Sequence, residues 1–445
     1  MRRVSAIELL CAIATAGALV PVWLFKFFPT QDGPSHLYNA FVLSHYNDAA
    51  SEVIRQYFVL NLRPFPNWTT YAISAALVRV LPPLIVQQII LTICVVSIPA
   101  GVLYLQKSFK PEADATALLG VLLAFSYVFF MGFFNFVIGA ALFAFATGYW
   151  WRHRNGKYLA GLYALLIVTY LSHNLAFAAA LLAIAVLAAI ERRWRVWIEL
   201  APAAIIFLLD ALGRPQGQPL FRSFNWHIRQ LVGIFSAGHI AIAYLMLLVV
   251  LIGICWSFVR TRPNPLAVVS LIIFMTYFLA PWGYSAGGWV QAGWISERLL
   301  YMTILTLPAW IVLPRASVVV FLLAVVFHLV TTSMQIASLN RFIADVVRAG
   351  AMIQPHSTIK TFFPMSGVSP QVTPTLHLTG YLGLQTDVID LDDYEALLPD
   401  FPVSYRATLP PRPPDYVFAW KRADVPPLPG YRVLFENAAV RLYGR

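Results

Sequence analysis

"FKFFPTQDGPSHLYNAFVLSHY", residues 25–46, decides how the rest of the chain is read. A long apolar run ends here, and one acid, Asp32, stands between Gln31 and Gly33 with His36 and His45 following. Asp32 before Gly33-Pro34 suits a helix N-cap, and Pro34 suits the first helical turn. Capping and chemistry are compatible uses of the same carboxylate. Four residues on, His36 shares a face with Asp32 if the helix starts there. Beyond it, Leu37, Phe41, Leu43 and Ser44 fit an amphipathic helix lying on a membrane surface.

The class follows from composition. Over 445 residues, 59% are hydrophobic and 11% charged, and the mean hydropathy is +0.70. A soluble domain carries roughly 25% charged residues, so this is a polytopic membrane protein. The net charge of +11 sits largely in short basic clusters between apolar runs, where it orients helices and implies no nucleic-acid partner. Cys11, Cys94 and Cys255 fall inside apolar segments without paired spacing and read as small hydrophobes.

The opening "MRRVSAIELLCAIATAGALVPVWLF" has the look of a signal peptide, but its apolar run reaches spanning length, which favours an uncleaved first helix. Further apolar runs lie near 84–106, 115–131, 134–150, 158–171, 175–190, 196–210, 239–259, 266–281, 298–313 and 316–337. Together these predict about eleven crossings. The stretch 67–81, broken off by Arg79, Pro82 and Pro83, reads as a short span or an interfacial helix.

Basic clusters at Arg2-Arg3, 106–110, 151–157, 191–195, 259–262 and Arg315 are consistent with one cytoplasmic side. The amino terminus is then cytoplasmic. The first loop (27–66), the loops 211–238 and 282–297, the hairpin tips "MGFFN" (131–135) and "SHN" (172–174), and everything after 337 face the other side. Those outer segments gather Arg214, Arg222, His227 and Arg229 where the positive-inside rule predicts few cations, and such charge asks for an anion. The loop "PWGYSAGGWVQAGWISERLL" (281–300) adds Trp289 and Trp294, then Glu297 and Arg298 at the mouth of a helix. An interfacial aromatic belt and a local Glu297–Arg298 pair are the plain alternatives. His328, inside the last run, reads as a bundle hydrogen-bonding residue, and "NWT" at 67 is a short sequon match.

After the apolar bundle of residues 1–337, prolines and acids accumulate, as in "TDVIDLDDYEALLPD" (386–400). "PDYVFAWK" (414–421) and "YRVLFENAAVRLYGR" (431–445) alternate in strand fashion around a turn at Glu436-Asn437. Residues 338–445 therefore predict a small soluble α/β domain outside the cytoplasm.

This arrangement resembles the GT-C superfamily of integral-membrane glycosyltransferases, which use lipid-phosphate-linked sugars. The resemblance spans nearly the whole chain: an inside amino terminus, an acid in the first outer loop, many helices with short hairpins and a terminal outer domain. It implies an inverting glycosyltransferase of a bacterial inner membrane, with a polyprenyl-phosphate sugar as donor, membrane lipid around it and an acceptor the residues do not identify. It puts the catalytic acid at Asp32, with His36 beside it, and matches "YLSHNLAF" (170–177) to an outer-face histidine motif containing His173. The superfamily acid is usually one of a close pair. "TQDGPSH" has one, so the need for a divalent cation such as Mg or Mn stays open.

The chemistry fits those parts. Sugar transfer needs a base for the acceptor hydroxyl, worth about a hundredfold to ten-thousandfold. It also needs a cation for the departing phosphate and an aromatic wall for the sugar. Arginine holds phosphate through a forked, always-charged donor set, giving Arg298, Arg222 and Arg229 in that order. His173, Trp289, Trp294 and Glu297 are the substrate-binding candidates. A membrane oligosaccharide ligase or polymerase would lean on outer arginines and histidines instead. A transporter would carry ionisable groups near mid-membrane, where this chain has nearly none, and an assembly protein would need no acid.

Overall fold

The computed structural model describes residues 5–214, 217–235, 240–286, 289–313, 315–364, 372–410 and 412–445. Helices dominate up to residue 347. α1 (Ala6–Leu24) starts with a capping box in which Ser5 and Glu8 satisfy each other's backbone N–H groups. The first loop then supplies α2 (Gly33–His45), α3 (Glu52–Tyr57), β1 (Phe58–Leu60) and α4 (Trp68–Val78). The bundle continues with α5 (Pro83–Phe109), the short α6 (Leu119–Ala124) and α7 (Tyr127–Phe130), α8 (Phe134–His153), α9 (Leu159–Ser172), α10 (Asn174–Ile190) and α11 (Arg195–Gly213). After β2 (Gln218–Leu220) come α12 (Phe224–Gly233), α13 (Ile240–Arg260), α14 (Leu266–Leu279), β3 (Gly283–Ala286), β4 (Trp289–Ala292), α15 (Ile295–Thr306) and α16 (Arg315–Val347).

Among the described residues, six helices are long and apolar enough to cross a bilayer, and shorter apolar helices fill in between them. The protein is an integral membrane protein. Leu209, Leu212, Phe258, Leu279 and Leu323 are exposed on α11, α13, α14 and α16, which is costly in water and neutral against lipid. By contrast, α8 and α15 are mostly buried. Short or broken helices are tolerated at such depth because neighbouring protein satisfies their free backbone groups. The run 115–131 is of this kind: a 3-10 turn, α6 and α7 follow one another with a break at Phe125-Ser126, all buried. The 67–81 stretch contributes the 11-residue α4, about 16 Å long and about half a hydrocarbon core.

The C-terminal region is a small sheet domain. β5 (Thr358–Phe362), α17 (Thr379–Thr386), β6 (Ile389–Asp390), β7 (Val403–Tyr405), β8 (Tyr416–Trp420), β9 (Arg432–Glu436) and β10 (Val440–Gly444) follow one another. Five of these strands make a mixed sheet in the order β6-β5-β8-β10-β9. Its first three strands are parallel and its last pairs antiparallel. The alternating segments noted above are β8, β9 and β10, and Asn437 turns the last hairpin by accepting the N–H groups of Ala439 and Val440.

Two features of the first loop differ from expectation. α2 does not lie on a membrane surface. It is sandwiched between the bundle and the sheet domain, with Leu37, Tyr38, Asn39, Val42 and Ser44 buried. A one-sided apolar stripe cannot reveal that the polar face has a partner too, since Ser35 and Asn39 donate to Asp393. Nor does Asp32 cap α2: its backbone is already helical and its side chain makes no cap hydrogen bond. β1 pairs with β7 in register Phe58↔Tyr405, and α17 approaches so closely that a Cβ on Gly380 would fall 2.4 Å from the Pro34 carbonyl oxygen. First loop and C-terminal domain are thus packed as one body above the helices.

Candidate functional site

Under that body lies a cavity of about 610 Å³. The first loop contributes Gln31, Asp32 and His36, and the two hairpin tips contribute Phe133 to Phe136 and His173 to Leu175. The 281–300 loop adds Trp294 and Arg298, and the C-terminal domain adds His377, Tyr394, Asp400 and Phe401. One side is polar, and another, with Leu175, Phe207, Val290 and Ile295, is apolar.

Asp32 is held by its backbone. The N–H groups of Gln31 and Asp32 donate to Phe130 and Met131 carbonyls at 2.9 and 3.1 Å, which fastens "TQD" to the tip after α7. That tip turns at Gly132 with φ +88°, where a Cβ would meet Asp32 N at 2.9 Å. Only glycine combines that backbone with that approach. With the cap position unused, the Asp32 carboxylate is left to the cavity. Gln31 accepts from the N–H of Thr373, so its amide donates to Asp32 Oδ1 at 3.2 Å. His377 Nε2 stands 3.7 Å from the same oxygen, its ring tilted against Tyr394 at 4.4 Å between centroids. Burial pushes the Asp32 carboxyl up to about 6, with the His36 charge and the Gln31 amide opposing and Glu395 adding to the rise. Burial also drives His377 down to about 3, helped by the His36 charge, so its ring is neutral.

His36 is fully committed. Nε2 lies 2.9 Å from the Gly132 carbonyl oxygen, which can only accept. Nδ1 lies 2.7 Å from a Glu395 carboxylate oxygen and 2.6 Å from the Tyr71 hydroxyl. Tyr71 itself donates to the other Glu395 oxygen. A proton on each ring nitrogen would satisfy both the Gly132 carbonyl and the Glu395 carboxylate. Burial opposes the imidazolium, and Glu395 and Asp32 together overcome it and raise its pKa. With both nitrogens protonated, His36 would be a positive charge beside Asp32 rather than a proton acceptor.

Arg298 forms another side of the site. Its guanidinium lies 4.2 Å over the Phe133 ring, donates once to the Gly293 carbonyl at 3.0 Å, and leaves Nε without a partner. Among the described residues it makes no ion pair. An arginine resting on an aromatic face with donors unspent can take an anion. Trp294 starts α15 with φ +57° and packs on Phe133 and Trp282. His173 accepts the Leu175 N–H on Nδ1, which leaves the proton on Nε2 as a donor.

The other candidates are not brought to this cavity. Arg222 is exposed over Trp282, with 4.2 Å between its guanidinium carbon and the ring, and Arg229 is exposed on α12. Glu297 is buried and accepts the Trp282 indole N–H at 3.2 Å, on the α15 turn beside Arg298 but off the cavity lining. The backbone of Trp289 is in β4, and its side chain lies outside the described residues. Residues not singled out from sequence complete the site instead: His377, Tyr394, Glu395 and Phe401, while Arg214, one of the outer cations, does reach it. Arg214, on the cavity wall, bridges Asp210 at 2.9 Å and Asp400 at 2.5 Å. The acid-rich "DLDDYE" was the one visible signal for Tyr394 and Glu395.

As a divalent-cation site the donor set fits poorly. Among the described residues no group of three His, Cys, Asp or Glu side chains converges. The carboxylate nearest His36 is spent on that ring and on Tyr71.

No protein-family model and no curated protein matches the sequence. Among solved structures, ArnT from Cupriavidus metallidurans in the apo state aligns over 98% of this chain and 97% of its own, with a TM-score of 0.52 at 11% identity. At that identity the likeness is one of fold, and it runs through both the helical bundle and the C-terminal sheet domain.

Proposed function

We propose that this chain, whose fold is that of the GT-C membrane glycosyltransferases, transfers a sugar from a polyprenyl-phosphate donor to an acceptor hydroxyl. The observation that carries the reading is the pairing across one cavity of a buried carboxylate freed from helix capping, Asp32, with an arginine whose donors are unspent, Arg298. Asp32 takes the proton of the acceptor hydroxyl as its oxygen bonds to the anomeric carbon. The bond from that carbon to the phosphate oxygen breaks, and its electron pair leaves with the phosphate. Arg298 holds the resulting charge through charge-assisted hydrogen bonds. Attack opposite the leaving group inverts the anomeric centre. Trp294 and Phe133 offer ring faces to the sugar, His173 offers an N–H donor, and the apolar side around Phe207 and Leu175 suits the first isoprene units.

The cavity end of the bundle is the extracytoplasmic end in this reading, with the amino terminus in the cytoplasm, residues 338–445 outside, and the inner membrane of a bacterium as its location. Its support is the distribution of basic clusters. A reporter fused after Arg445 is expected to be active only outside, and one inserted at Asn155 only inside.

Asp32→Asn tests the chemistry, since it keeps size and removes the proton acceptor. With purified protein and a panel of polyprenyl-phosphate sugars, donor binding is expected to persist while turnover falls by about a hundredfold or more. A well-folded Asp32→Asn protein with full turnover would sink the assignment of the base.

A further inference from the structure

The carboxylate that meets His36 comes from the far end of the chain. Glu395 is fully buried, in the "DYEAL" turn of the C-terminal domain, and a buried anion must be paired to be tolerated. Its partners are His36 Nδ1, 2.7 Å from one oxygen, and the Tyr71 hydroxyl, which donates to the other. The turn is held in place from several directions. The N–H of Glu395 donates to Asp393 Oδ1, Asp393 accepts from Ser35 and Asn39 of α2, and the N–H of Asp393 donates to the Tyr405 hydroxyl. So much fixing of one turn places the Glu395 charge against one face of His36, while Asp32 lies one helical turn before His36 on the same helix face.

We propose that Glu395 is a positioning residue of the Asp32 site: it keeps His36 doubly protonated, and the His36 cation keeps Asp32 ionised, so that the C-terminal domain sets the charge of the base. The inference rests on the reading of Asp32 as the base. The groups facing this pair are Tyr71 of α4, the Gly132 carbonyl, Asp393 beside Glu395, and Tyr394, His377 and Arg298 around Asp32. Of these, only Glu395 can neutralise the imidazolium at contact distance, because Asp393 is occupied by Ser35 and Asn39.

The sign of the effect follows from the opposing charges on Asp32. Loss of the Glu395 charge alone would favour ionised Asp32 slightly. Loss of the His36 cation with it removes the larger, opposite influence, so the net change is toward protonated Asp32. The test uses histidine-labelled full-length protein in detergent or nanodiscs. In the wild type, the ¹⁵N signals of His36, assigned with His36→Asn, are expected to report both nitrogens protonated at pH 7. A neutral ring there overturns the proposal without any variant. Glu395→Gln is expected to turn the ring neutral at that pH, and Tyr71→Phe to leave it charged.

In turnover assays, the acidic limb of kcat/KM is expected to move upward by about half a pH unit or more in Glu395→Gln and in His36→Asn. Glu395→Asp should restore part of it, and the double variant should move no further than His36→Asn. A merely structural glutamate would lower yield with the limb unmoved, and that outcome overturns the proposal while Asp32 remains the base. Failure of the base assignment is separately visible as full turnover in Asp32→Asn, whatever the ¹⁵N signals of His36 report.

Discussion

The two ends of the helical bundle use the same charged residue types in opposite ways. At the end opposite the cavity, charges pair with near neighbours: Lys110, itself largely buried, with Asp114, and nearer the surface Arg195 with Glu199 and Arg154 with Glu191. The first two are four residues apart on local chain, and Arg195 is 87% exposed. At the cavity end, Gln31, Asp32 and His36 meet Thr373, His377, Tyr394 and Glu395, with Gln31, Asp32, Thr373 and Glu395 buried. Short-range exposed pairs contribute little and mainly mark orientation. Long-range buried charges cost several kcal/mol to assemble unless each is paired, and here each is supported by the packing of two distant chain segments. The difference separates a topological signal from a site.

The contrast can be broken first at Gly132. Gly132→Ala places a Cβ against the Asp32 backbone at a φ that L residues rarely adopt, and misplacement of a base by about 1 Å is worth roughly a hundredfold in turnover. We expect a loss of that order with the bundle still monodisperse in size-exclusion chromatography. Near-normal turnover would show that the grip of the 131–135 tip on "TQD" is dispensable.

Next is Arg298→Ala, which removes the unspent donors. Charge-assisted hydrogen bonds are worth about 1.5–3 kcal/mol, so donor affinity, followed by binding of a polyprenyl-phosphate sugar, is expected to weaken by roughly tenfold to a hundredfold. Arg222→Ala, over Trp282 and away from the cavity, should change it by less than about threefold.

A smaller effect is expected from pH. Asp32 must be ionised to accept a proton, and burial places it at about 6. Turnover should therefore rise with pH through that value, with about a tenth of the base form present at pH 5 and about nine-tenths at pH 7. A limb near pH 4, the range of an exposed aspartate, would argue that Asp32 is solvated in the working enzyme.

The smallest change belongs to the opposite end. Arg195→Ala removes an exposed helical pair worth about 0.3–0.5 kcal/mol, and turnover should stay within about twofold. A large loss there would mean that the two ends are coupled through the bundle.

Much of the fold was legible because membranes impose a strong local rule: backbone polar groups must be satisfied within each segment, so spans appear as apolar runs. Each run carried a helix, and β8 to β10 were readable from alternation. The limits were as physical. The 115–131 run is apolar throughout, and nothing in apolarity marks the break at Phe125-Ser126, which neighbouring helices stabilise. α2 looked like a surface helix because an amphipathic stripe says which face is apolar, and not what covers the polar one.

The sequence by itself determined that this is a helical membrane protein with polar loops and a C-terminal sheet domain, and it singled out Asp32, His173, Arg298 and Trp294, all of which the cavity brings together. Local residue type and spacing carry that much. Only the tertiary structure decided that Arg222, Arg229 and Glu297 stand off the cavity, that both ring nitrogens of His36 are already engaged, and that Glu395, His377 and Tyr394 gather around Asp32 and His36. Those facts depend on contacts across more than three hundred residues, which no local pattern records, because the energy of a buried charge is set by what the fold brings beside it.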